Sequence, residues 1–69
     1  MKNLLNRKMT LIELDNEMEA LGYNSIFDEV DETTLKINGS ATYDETINIE
    51  FDVIDDENNI VKITNIEEI

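Results

Sequence analysis

From Ile47 to Val53 the chain alternates without a break, Ile47, Ile49, Phe51 and Val53 against Asn48, Glu50 and Asp52. Side chains along a strand point to opposite faces in turn, so this run makes one dry face and one wet face. Such a sheet needs cover on one side only, which points to antiparallel α+β architecture rather than a parallel sheet buried on both faces. The strand is predicted over Thr46 to Ile54, with Phe51 in the core. Asp55 to Asn59 follow as a turn, because Asp and Asn tolerate left-handed backbone and bond their own main chain. Ile60 to Ile66 return as a final strand, with Val61 and Ile63 inward.

The cover comes from a helix that opens at Thr10. Thr10 and Glu13 have the T-x-x-E spacing of a capping box, and Met9 and Leu14 sit where a hydrophobic staple would close over it. Leu11, Leu14, Met18 and Leu21 then recur at helical spacing as one apolar stripe. Gly22 can take the left-handed conformation that ends a helix, with Tyr23 folding back toward Met18. Residues 25 to 30 are expected to pair with 33 to 38 across a turn near Asp31 and Glu32, placing Leu35 and Ile37 on one face. The fold class is therefore α+β, one N-terminal helix packed on a three- to four-stranded antiparallel β-meander. Residues 9–69 make a single domain, and residues 1–8, which carry no comparable signal, are expected to be a mobile basic arm or a loosely packed extra turn.

Seventeen acidic residues against five basic ones give the 69-residue chain a net charge of −12. Lys2, Arg7 and Lys8 lie in the arm, so the domain faces all seventeen acids with only Lys36 and Lys62. On the helix, Glu13 with Glu17 and Asp15 with Glu19 are like-charge i, i+4 pairs, each unfavourable by about 0.2–0.5 kcal/mol. On the strand, Glu50 and Asp52 project side by side from the wet face. Solubility alone needs a net charge of only about 2 to 8 on a small domain. The excess repels nucleic acid and anionic membrane and attracts basic surfaces within roughly a Debye length, about 8 Å at physiological salt.

Chemistry is harder to place on these residues. With no histidine and no cysteine, imidazole catalysis, thiolate zinc sites and disulfides are excluded, which suits a reducing cytoplasm. Paired carboxylates could divide acid and base roles only in a desolvated pocket, and a chain this short offers none. Ser25 and Ser40 have no base. Asp55, Glu57 and Asn59 have the 1-3-5 spacing of a calcium loop, but Ile60 and Ile66 stand where the pattern needs glycine and a bidentate Glu, so a plain hairpin turn is expected. No cofactor, no metal and no enzymatic activity are expected, and no apolar run is long enough to span a membrane.

What remains is binding. A groove that gains affinity by neutralising phosphates offers the same gain to an array of carboxylates. The expected partner is a basic protein surface, a nuclease or other nucleic-acid-binding protein, with no direct contact to nucleic acid or membrane, and the protein itself a monomer or homodimer. Small acidic α+β anti-CRISPR proteins and other phage-encoded DNA mimics have this general character, as do antitoxin and immunity proteins, although no motif ties the chain to them. The residues expected to meet the partner are Glu13, Asp15, Glu17 and Glu19 on the helix, Tyr43, Asp44 and Glu45 at a turn, and Glu50 and Asp52 on the strand. Tyr43 reads either as an interface anchor among acids or as a half-buried strand-end tyrosine. The alternative reading of the whole chain is a structural or adaptor module, with its interface at the sheet edge or helix face and its acids serving solubility.

Overall fold

Thr10 closes one element and opens the next. In a computed structural model describing residues 2–69, it is the last residue of strand β1 (Lys8–Thr10) and the N-cap of helix α1 (Leu11–Ala20). The capping box is formed: the Thr10 hydroxyl accepts from the Glu13 amide at 3.1 Å, and the Glu13 carboxylate reaches back to the Thr10 amide. The two staple residues, Met9 and Leu14, are both in the core. At the other end Gly22, at φ 99°, allows its own amide to donate to the Glu19 carbonyl and the Tyr23 amide to donate to the Met18 carbonyl. That is the Schellman closure expected of a glycine at this position.

Four antiparallel strands form one sheet in the order β1-β4-β3-β2, where β2 is Ser40–Tyr43, β3 is Ile47–Asp55 and β4 is Ile60–Glu68. Strands β2, β3 and β4 are the meander, and β1 adds to the far side of β4 with Met9 opposite Val61. Ile47, Ile49, Phe51, Val61 and Ile63 face a single core that also takes Leu11, Leu14 and Met18 from α1. Register shifts interrupt the β3–β4 ladder between Glu50 and Phe51 and between Val53 and Asp55. The first leaves Thr64 as the extra residue on β4, which reverses the alternation and brings Ile66 opposite Ile49, against the core. Val53, expected inside, is 38% exposed beside the second shift.

Residues 25–38 correct the sequence expectation. They form no hairpin. Residues 26–30 form a turn, with the Val30 amide bonded to the Ile26 carbonyl, and Glu32–Asn38 is a second helix, α2. The Asp31 carboxylate caps it by accepting from the Thr34 amide at 2.8 Å, and Gly39, at φ 69°, closes it with a bond to the Leu35 carbonyl. Capping at both ends overrides the apparent alternation of Leu35 and Ile37. As a helix the segment buries Leu35 and leaves Ile37 80% exposed. Leu21, placed on the apolar stripe of α1, is likewise out of the core as the helix's C-cap.

The N-terminal segment, expected as a mobile arm or a loosely packed extra turn, holds a short turn and reaches the sheet. Leu4, at the end of a 3-10 turn over Lys2–Leu4, is buried, the Asn6 amide donates to the Ile63 carbonyl at 2.8 Å, and Lys8 lies in β1. Met1 and the side chain of Lys2, both within the expected arm, lie outside the described residues.

Candidate functional site

Asp15 is the single buried charged side chain among the described residues. Its Oδ2 accepts from the Ser25 hydroxyl at 2.7 Å, and its Oδ1 accepts from the Ile26 amide at 3.2 Å and the Tyr43 hydroxyl at 3.1 Å. Three donors from two separate segments, residues 25–26 and the end of β2, therefore converge on one carboxylate of α1. A buried charge is tolerated only when its lone pairs are filled in this way. Tyr43 is equally buried, its ring edge-on to Tyr23 with centroids 6.3 Å apart. Burial pushes the phenol above its ordinary pKa, and the Asp15 charge and hydrogen bond and the Glu19 charge add to the shift. Asp15 and Tyr43 thus join α1 to the sheet and offer nothing to a partner surface. The extended stripe could have located Asp15, since it lies four residues after Leu11 and three before Met18, inside the buried face.

The other expected contacts do reach solvent, in separate places. Glu13, Glu17 and Glu19 lie along α1, with Glu13 engaged in its own cap. Asp44 and Glu45 form the β2–β3 turn, both at positive φ, and Asp44 accepts from the Asn24 amide and the Asn24 side chain. These two line a shallow acidic depression with Asn24, Ser25, Ile26 and Glu29. Glu50 and Asp52 project from the opposite, uncovered face of the sheet, where Asp52 is paired in register with Lys62 and Lys62 with Lys8. The expected residues therefore do not make one continuous surface.

Carboxylates in the β3–β4 turn are more firmly held than a flexible turn would allow. Asp55 accepts from the amides of Glu57 and Asn58 and from the Asn58 side chain, and these bonds hold its carboxyl below the usual range, as the cap to Thr34 does for Asp31. Asp56 forms the single ion pair among the described residues, 2.9 Å from the Lys36 ammonium, which also donates to the Asp56 carbonyl. The Asn59 side chain donates to Glu32, so α2 is tied to the β3–β4 turn at two points, through Glu32 in its first turn and Lys36 in its last. Between them runs a groove lined by Thr33, Lys36, Ile37, Val53 and Asp56. Sequence reasoning missed this groove because it depends on α2 being a helix. The overlooked signal was Asp31 and Gly39 bracketing seven residues with Lys36 in the last turn.

Among the described residues no group of three or more acidic, histidine or cysteine side chains is placed to hold a metal, and no helix is long and apolar enough to cross a membrane. No family model matches the chain, and no curated protein or solved structure gives a significant match.

Proposed function

We propose that this protein binds a basic protein, a nuclease or other nucleic-acid-binding partner of the cytoplasm, and blocks it by presenting carboxylates where that partner takes phosphates. The observation that carries this reading is the pairing of charges. Seventeen acids are present, yet one ion pair forms among the described residues, so the field of the remaining carboxylates is directed outward from a rigid α+β body. Several are also fixed in position, Glu13 by its cap, Asp44 by Asn24 and Asp55 by its turn. Fixed carboxylates lose less conformational freedom on binding than free ones, which favours a shaped mimic over a diffuse cloud of charge. A phage or mobile-element inhibitor and an antitoxin or immunity protein would both work this way.

The test is competition. A panel of basic nucleases and nucleic-acid-binding proteins, each holding labelled nucleic acid, is titrated with the protein and release is followed by fluorescence anisotropy. Release from at least one member is expected at low salt and should fall steeply between about 50 and about 200 mM salt. Glu50→Lys, on the uncovered sheet face opposite Ser40 and Asn65, should weaken the effect on the order of tenfold without lowering Tm; Asp52→Lys should weaken it as much but lower Tm, because it sets three lysines in register across β3, β4 and β1. A panel that releases nothing at any salt sinks the proposal. Equal small losses from reversals at every exposed position would leave net charge as the sole factor and remove the shaped mimic.

A further inference from the structure

We propose that the groove between α2 and the end of β3 receives one aliphatic side chain from an extended basic segment of the partner protein. This rests on the charge reading above and names where specificity enters it. Ile37 is 80% exposed, and Val53 and Ile54 on the adjoining strand are 38% and 48% exposed. The fold does not require an isoleucine at position 37. Leu35 fills the core, and a residue two positions further on lies about 200° around the helix, where a polar side chain would serve α2 as well. An apolar lip beside an apolar strand end is the kind of surface that gains by being covered.

The walls of this groove are already set. Lys36 holds Asp56 by two contacts of 2.9 Å, Asn59 holds Glu32, and the Asp55 carboxylate fixes the turn that follows β3. Binding there orders little new structure. Charge then selects the occupant. The cation in the groove, Lys36, is engaged with Asp56, and the other charges on α2 and the β3–β4 turn are Glu32, Asp55 and Glu57. A second copy of the chain would bring those same carboxylates against each other across the contact. A cationic segment instead meets complementary charge around an apolar centre, the arrangement in which a central anchor supplies affinity and the rim supplies rate and orientation.

The probe is a pair of nine-residue peptides of alternating arginine and lysine, one with leucine at its centre and one with serine, titrated into the isotopically labelled full chain and followed by amide chemical shifts. The leucine peptide should bind roughly tenfold more tightly than the serine peptide, the gain expected from covering one aliphatic side chain, with shift changes concentrated at residues 33–37 and 53–56. In Ile37→Ser, whose Tm should be unchanged because the side chain is in solvent, that preference should vanish while the salt-dependent affinity for both peptides persists. Equal affinity for the two peptides, or a preference that survives Ile37→Ser, overturns the groove and leaves the charge reading standing. Failure of both peptides to bind at low salt overturns the charge reading and the groove with it. A concentration-dependent dimer in sedimentation that Ile37→Ser abolishes assigns the groove to a second copy and also overturns the proposal.

Discussion

Asp15 sits where an apolar residue would complete the buried face of α1, and a carboxylate occupies it because Ser25, Ile26 and Tyr43 bring three donors to the same point. Truncation at such a site does more than delete bonds. It leaves the buried Ile26 amide and Tyr43 hydroxyl without a partner, at about 1–3 kcal/mol apiece, and the half-buried Ser25 hydroxyl loses its bond as well. Asp15→Ala should therefore cost about 3 kcal/mol or more, a large share of what a domain this size possesses, while Tyr43→Phe, which removes one donor and leaves the carboxylate two others, should cost about 1.5 kcal/mol. Urea midpoints measure both, and an Asp15→Ala midpoint equal to the parent's would show that the network contributes nothing. The phenol adds a pH signature. Its folded pKa is raised above the ordinary value near 10, so its contribution is fully present below pH 10 and is lost as pH rises beyond it. Stability should fall above about pH 10, and fall less in Tyr43→Phe. Residue-scale chemistry of this kind was poorly legible in the sequence. Acids on helices are ordinarily solvated, and the donors that make Asp15 an exception arrive from residues 10, 11 and 28 positions away.

At the scale of elements, legibility followed the range of the interactions. The cap of α1, its staple and its glycine closure depend on residues within a few positions of one another, and all were predicted from spacing alone. Strands β3 and β4 were equally clear, because burial on one face imposes a period of two, which β3 sustains from Ile47 to Phe51 and β4 shows at Val61 and Ile63. Helix α2 failed this test: Thr33, Thr34 and Ile37 are β-branched, and only the caps at Asp31 and Gly39 decide for a helix. Strand β2 and the Thr64 shift depend on pairing partners and had no local signature. The β2–β3 turn carries a visible local cost. Asp44 and Glu45 both have positive φ, at 51° and 57°. Asp44 is compensated by Asn24, whereas Glu45 has no such bond and carries a Cβ in a region costing about 1–2 kcal/mol for an L-residue. Glu45→Gly should gain about 0.5–1 kcal/mol, a rise in Tm of roughly 2–8 °C for a domain of this length. Glu45→Gln removes the same charge but retains the strain, so a gain of equal size from Gln would assign the effect to electrostatics.

For the whole molecule, net charge sets how stability responds to solution conditions. Repulsion among the outward carboxylates weakens as they protonate or as salt screens them. Tm should rise as pH falls from about 7 to about 5, and rise with salt at pH 7. The trend should reverse in stronger acid, because Asp31 and Asp55 have lowered folded pKa values; their contribution is present above the unfolded value near 3.9 and is lost as pH falls through the folded one. A Tm that is flat with both pH and salt would mean that the carboxylates are already compensated. The junction at Thr10 has a different consequence. Pairing Met9 with Val61 closes a loop of roughly fifty residues, an entropic cost that no hairpin contact bears and that is repaid only when the core beneath it is complete. Because Thr10 ends that strand and also caps α1, the helix with the strongest local signals has its position on the sheet fixed by a contact from the far end of the sequence. Helix, sheet and chain closure should consequently unfold together, so far-UV circular dichroism and tyrosine fluorescence are expected to follow one coincident transition.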